Sequence, residues 1–160
     1  MDADRVADAE TSPSILFEVF ALGQQVRQLL VEAMRDSPLN PQDYAFLSAV
    51  FEDEAPTPTQ LARRLGMPLS TTVEQVQMFE QRGYLRRFPN PRDGRSYLVA
   101  LTAGGGRAHR AAAVEFDRVY AAVVRGLGRS EPAVARALRQ LRGAVRQAQI
   151  AQTQVSDLRR

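Results

Sequence analysis

The chain contains no cysteine, and that absence excludes disulfides, thiol redox sensing and thiolate metal sites together. His109 is the only histidine. A transition-metal centre would have to rest on carboxylates, so no metal site and no other cofactor is expected. Nowhere does an apolar run approach the roughly 18 residues needed to cross a bilayer. The opening Met1-Asp2-Ala3-Asp4 is acidic, whereas a secretory signal opens basic and then turns apolar. A cytoplasmic protein without membrane attachment is expected. Also missing are a Gly-rich phosphate loop, a His-Glu-x-x-His pair and a nucleophile elbow, so the chain does not read as an enzyme. Lysine is absent too, and all 21 basic residues are arginine. Arginine suits planar, bidentate recognition of phosphate and guanine, although genomic base composition is the simpler source of so complete a bias.

What is present suffices for one domain with a modest core, at 160 residues. Its charge is unevenly placed. Residues 1–55 hold three Arg against eleven acids, a balance of −8. Residues 56–110 hold nine against three, +6, and residues 111–160 hold nine against four, +5. The net +3 therefore hides an acidic first third and a basic middle, an electrostatic footprint for nucleic acid.

The chain is organised around Pro68 to Thr102. Leu69, Val73, Val76 and Phe79 recur at steps of three and four, one stripe of a helix over 68–82. Pro68 suits its first turn, and Gly83 suits a left-handed residue past its end. Ser70, Thr71, Glu74, Gln75, Gln77, Met78 and Gln81 then point outward, a face without bulky aliphatics. Residues 84–88 and 96–101 read as two strands. Between them, Pro89-Asn90-Pro91-Arg92-Asp93-Gly94-Arg95 is dense in turn formers and guanidinium groups. Such a helix and hairpin can meet DNA together, the helix in the major groove and the tip on a minor groove or phosphates.

Asp93-x-Arg95, the strand ending Leu101-Thr102-x-x-Gly105, and Glu80-x-Arg82-Gly83 before the hairpin resemble the wing region of MarR-type transcriptional regulators. The resemblance extends less sharply over about residues 15–150. It implies a mainly α (α+β) fold, a winged helix-turn-helix with N- and C-terminal helices forming a dimerisation region. It also implies that Arg95 enters the minor groove with Asp93 orienting it, while Arg92 contacts phosphate.

The remaining chain fits that plan. Residues 1–14 read as a flexible, acidic arm. Ser14 caps a helix that Asp36-Ser37-Pro38 stops, with Ile15, Val19, Leu22, Val26, Leu29, Leu30 and Ala33 on its buried side. Asn40 and Pro41 open the next helix, whose core side is Tyr44, Leu47, Val50 and Phe51. Thr57 to Gly66 is a short helix set before the outward-faced one at helix-turn-helix spacing. Gly104-Gly105-Gly106 reads as a flexible joint, followed by a helix from Arg107 to about Leu127. Ser130 starts the last helix, where Val134, Leu138, Leu141, Val145 and Ala148 form a heptad-like seam, and Ser156 to Arg160 is expected to fray. Residues 15–38 and 107–155 are thus the dimerisation helices and 39–106 the winged helix-turn-helix. Their surplus apolar stripes imply a second copy, a two-fold homodimer, as the family resemblance also implies.

The expected DNA-binding set is Thr57, Thr59 and Gln60 at the start of the short helix, whose free N–H groups suit a phosphate. Ser70, Thr71, Glu74, Gln75 and Gln77 on the reading helix and Arg87, Arg92, Asp93 and Arg95 on the wing complete it. Gln75 and Gln77 have the chemistry to read adenine. Glu74 stands where many family members carry a basic residue; it can accept from cytosine N4 but repels phosphate. The partner is a double-stranded, pseudo-palindromic operator. Phe17, Phe20, Tyr44, Phe46, Phe116 and Tyr120 are candidates, on the family resemblance, for a pocket taking a small aromatic or phenolic effector that releases a repressor. His109 is expected on a helix surface. A winged module for protein contacts, without DNA readout, is the alternative reading of the same elements.

Overall fold

The structure, a computed structural model, describes residues 14–157; residues 1–13 of the expected arm and the last three residues lie outside them. Helix α1 (Ile15–Ala33) opens where the Ser14 hydroxyl accepts the N–H of Leu16 at 3.3 Å. It stops at Ala33 rather than at Asp36, because Met34, the next residue, turns into the core and is buried. Helix α2 (Pro41–Glu52) begins as its sequence requires. Pro41 takes the first position, and Asn40 Oδ1 accepts the Asp43 N–H at 2.8 Å. Helix α3 (Pro58–Leu65) ends on Gly66, whose φ of 68° is left-handed. After the Gly66–Pro68 turn, helix α4 (Leu69–Gln81) runs to a second left-handed glycine, Gly83 at φ 72°.

Strands β1 (Leu85–Pro89) and β2 (Tyr97–Leu101) form an antiparallel hairpin, with Leu85 opposite Leu101 and Pro89 opposite Tyr97. One further backbone bond, Val99 N–H to Pro56 carbonyl at 3.0 Å, ties β2 to the start of α3. Helix α5 (Ala103–Leu127) follows, then a 3-10 turn (Gly128–Ser130) and helix α6 (Glu131–Asp157). Two compact units meet in sequence at Val119/Tyr120.

The first unit holds the core. Leu39, Phe46, Leu47, Val50, Leu61, Val76, Phe79, Leu85 and Val99 are all but sealed from solvent, joined by Ala108 and Ala112 of α5. The buried face of α4 differs from the expected stripe. Thr72, Val76 and Phe79 are fully covered, whereas Leu69 is 49% exposed and Val73 half-buried. A threonine heads this face because its hydroxyl donates to the Pro68 carbonyl at 3.0 Å, so no polar group is orphaned by burial. The rotation it imposes half-buries Met78, which was expected outward. Phe51, expected inward on α2, is 57% exposed and lies flat against the ring of His109.

The largest departure is at Gly104-Gly105-Gly106. These residues are the first turn of α5, not a flexible joint. Thr102 acts as the cap: its hydroxyl accepts the Gly105 N–H at 3.0 Å and donates to the Gly83 carbonyl at 2.6 Å. Its own N–H donates to the Tyr84 carbonyl at 3.0 Å. Gly105 packs so tightly on that turn that a Cβ there would stand 2.0 Å from the Tyr84 oxygen. Glycine is required here for close backbone approach, not for mobility.

Helix α1 buries none of its residues within one chain, and Ile15, Val19, Leu22, Val26 and Leu29 are all exposed. In the second unit, Leu138, Val145 and Ile150 of α6 are exposed likewise. No helix among the described residues is long and apolar enough to cross a membrane. The helix of the second unit runs on to Asp157, past the Ser156 where fraying was expected.

Candidate nucleic-acid interface

The interface candidates lie on α3, α4 and the hairpin. At the start of α3, Thr57 and Gln60 are engaged with each other. The Thr57 hydroxyl accepts the Gln60 N–H at 3.3 Å, and Gln60 Oε1 accepts the Thr57 N–H at 2.7 Å. This reciprocal box satisfies two orphan donors of the first turn. Thr59 is exposed beside it.

On α4, successive residues advance by about 100°. Opposite the Thr72–Val76–Phe79 face lie Ser70, Glu74, Gln77 and Gln81, all exposed. Thr71 and Gln75 sit on the flanks and are half-buried. The carboxylate of Glu74 therefore stands at the middle of the outward face. Nothing on this face is a large aliphatic.

The wing tip is ordered by its own side chains. Asn90 Oδ1 accepts the Arg92 N–H at 3.0 Å, and Asn90 Nδ2 donates to Ser96 Oγ at 2.7 Å. Asp93 Oδ1 accepts the backbone N–H of Arg95 at 3.0 Å, an Asx turn. Asp93 thus orients residue 95 through its backbone; among the described residues no ion pair joins Asp93 to the Arg95 guanidinium. Arg92 and Arg95 are exposed. Arg87 is placed differently: half-buried, with Nε 2.9 Å from Glu80 Oε2 and its guanidinium carbon 4.9 Å from the centre of the Tyr97 ring.

Two features of this region escaped the sequence. Arg82, at the end of α4, donates to Asp43 of α2 at 2.8 Å and lies over the rings of Phe79 and Tyr84. The hydrogen bond to Asp43 leads the causes that raise the Arg82 pKa. In the α2–α3 loop, Glu54 and Ala55 both have positive φ, 47° and 79°, a costly backbone for residues with a Cβ. Arg64 braces that loop through ion pairs to Glu52 and Asp53. A polar groove of about 630 Å³ lies between this loop and the wing, lined by Asp53, Glu54, Gln60, Asn90 and Arg92 among others.

The six aromatic residues considered for an effector are only partly assembled. Tyr44 and Phe116 are in contact, with ring centres 5.0 Å apart. Phe46 belongs to the core and packs on Phe79 at 5.3 Å. Phe17, Phe20 and Tyr120 are exposed. What joins Tyr44 instead is His109, which is buried rather than on a helix surface. It stacks on Tyr44 at 5.1 Å and Phe51 at 5.0 Å, and its Nε2 is 3.0 Å from Ser48 Oγ. Burial lowers its pKa, the Arg110 charge adds to that shift and Glu52 opposes it.

Residues 39–97 match the model of the MarR family; no curated protein matches the chain. Among solved structures the chain is similar to the M. tuberculosis transcriptional regulator MOSR in complex with DNA. That similarity has 24% identity over 85% of this chain and 98% of that one, with a TM-score of 0.73. It is also similar to the S. aureus MepR–DNA complex, at 15% identity, 83% and 99% coverage and a TM-score of 0.71. The PcaV transcriptional regulator of Streptomyces coelicolor, in complex with its natural ligand, shows 25% identity, 84% and 99% coverage and a TM-score of 0.66.

Proposed function

We infer that this chain, MarR-type by the sequence of residues 39–97 and by its fold, is a homodimeric, sequence-specific DNA-binding transcriptional regulator. The observation that carries this reading is a coupling of two surfaces. The polar outward face of α4 is joined through the Arg82–Tyr84 turn to a hairpin whose tip exposes Arg92 and Arg95. Ser70, Gln77 and Glu74 offer hydrogen-bonding groups to base edges. Arg95 brings a planar cation suited to the narrow, electronegative minor groove of A·T-rich DNA, and Arg92 a phosphate contact. The basic balance of residues 56–110 supplies long-range attraction.

The unpartnered apolar faces of α1 and α6 support a two-fold dimer, each copy covering the other. Two recognition helices then meet a pseudo-palindromic operator about one turn, roughly 34 Å, apart. The regulator acts as a repressor, released by a small aromatic acid. The Tyr44–His109–Phe116 cluster supports that effector class, as does the ligand complex of PcaV. The effector acts only if it favours one dimer spacing over the other.

Selection from a random-sequence duplex library, followed by gel shift and sedimentation, tests this. The expected result is an inverted-repeat duplex bound by two chains, with affinity reduced by salicylate. Failure to enrich any sequence would favour a winged module for protein contacts, and unchanged affinity with salicylate would remove the effector.

A further inference from the structure

On the DNA-binding reading above, Arg87 stood among the contacts, yet its surroundings assign it another task. We propose that Glu80, Arg87 and Tyr97 form a brace that fixes the wing against the recognition helix. Arg87 and Glu80 are then positioning residues, and Arg87 is not a phosphate contact.

Glu80 lies in the last turn of α4, Arg87 is the middle residue of β1, and Tyr97 opens β2. Arg87 pairs with Val99 across the hairpin. Tyr97 is two residues from Val99 on the same strand, so its side chain is on the same face and diagonal to Arg87. One guanidinium thus touches the recognition helix and both strands of the wing. Arg87 Nε lies 2.9 Å from Glu80 Oε2 without a directed hydrogen bond, so the contact is Coulombic. Stacking on Tyr97 at 4.9 Å holds the guanidinium plane.

The electrostatics separate Arg87 from the tip. Arg92 and Arg95 are exposed, and among the described residues neither has an ion pair or a ring contact. Arg87 is half-buried, with its charge matched by a carboxylate. A cation already neutralised displaces few counterions from DNA. Its contribution is to pre-set the angle at which helix and wing reach two grooves, which lowers the ordering cost on binding.

The sign of one substitution separates the two roles. If Arg87 held a phosphate, Glu80→Gln would remove a competing carboxylate and tighten binding. With the brace, Glu80→Gln weakens it. The experiment uses the full-length protein and the duplex enriched from the random library, titrated at two salt concentrations with thermal melts alongside. Glu80→Gln and Arg87→Gln are each expected to weaken binding about tenfold, and the double variant no further than the weaker single one. The salt slope stays that of the wild type. Arg87→Lys keeps the charge but not the planar stack and is expected to fall with the glutamine variants. The exchanged pair Glu80→Arg with Arg87→Glu recovers part of the loss. Tighter or unchanged binding by Glu80→Gln overturns the brace. So does a salt slope reduced by about one in Arg87→Gln, the mark of a lost phosphate contact. A wild-type protein that enriches no duplex refutes the DNA-binding reading itself, and the brace falls with it.

Discussion

Replacing Gly105 by alanine puts the relation between recognition helix, wing and α5 under direct load. The added Cβ would lie 2.0 Å from the Tyr84 carbonyl oxygen and 2.9 Å from its carbon. Both are backbone atoms, so no rotamer change relieves the contact. Either α5 or the Gly83–Tyr84 turn must shift, and the bonds of Thr102 to Gly83, Tyr84 and Gly105 are stretched with it. Overpacking of this kind costs about 1–3 kcal/mol, and a weakened cap costs about 1 kcal/mol more. Exchange of glycine for alanine within a helix returns up to about 1 kcal/mol. The net is a destabilisation of about 2–3 kcal/mol, a fall in Tm of about 4–12 °C for a chain of this size. The neighbouring Gly106→Ala is the control. Its Cβ meets only the flexible end of Arg110 at 3.4 Å, so helix propensity dominates and stability rises by about 0.5–1 kcal/mol. Thermal melts of both variants at matched protein concentration decide the matter. If Gly105→Ala melts like Gly106→Ala, the three glycines are a loose joint after all and the close packing is wrong.

Arg95→Ala is expected to cost more operator affinity than Arg92→Ala and to relax sequence preference at the flanks. Arg92→Ala lowers affinity evenly and makes the salt slope shallower by about one. Both should melt like the wild type, and gel shifts at two salt concentrations read the difference. Asp93→Ala removes the Asx turn to the Arg95 N–H and should weaken binding less than Arg95→Ala, because the cation survives on a looser loop. Equal losses would make the Asp93 carboxylate itself the essential group. For His109, burial holds the folded-state pKa below the ordinary 6.5. As pH falls below that value, the unfolded chain takes up a proton that the folded chain does not. The contribution to stability is therefore complete above 6.5 and is lost as pH drops toward the folded value. Denaturant melts across this range should show His109→Gln, which retains a partner for Ser48, gaining on the wild type as pH falls. A constant gap between the two proteins would contradict a buried neutral histidine.

Local chemistry made much of this fold legible. Asn40-Pro41 and Thr57-Pro58 mark helix starts, and Gly66 and Gly83 mark helix ends, because caps and left-handed residues act within a few positions. The hairpin announced itself through Pro89 to Arg95 for the same reason. What stayed hidden depends on distant partners. The mutual approach of Gly105 and Tyr84 is invisible in a run of three glycines, which by composition alone suggests slack. Ser48 lies 61 residues from His109 and Asp43 lies 39 from Arg82, so neither pair leaves a periodic signal. On α4 the core face is headed by Thr72, a polar residue in any hydrophobic pattern, and that is why Leu69 and Met78 were assigned to the wrong sides. Within the candidate interface, Ser70, Glu74, Gln77, Arg92 and Arg95 are exposed, and Arg87 and the Thr57–Gln60 pair are engaged within the protein.

The affinity of the full-length protein for its library-selected duplex, followed as a function of salt, tests the central claim most directly. Counterion release gives a linear fall of log K with log salt, at about 0.9 per phosphate neutralised. A two-fold dimer with Arg92 on each wing should show a steep slope, shared by an inverted repeat and lost when one half-site is scrambled. Salt-insensitive binding, or equal affinity for the intact and the scrambled duplex, would contradict a regulator that reads DNA with helix and wing together.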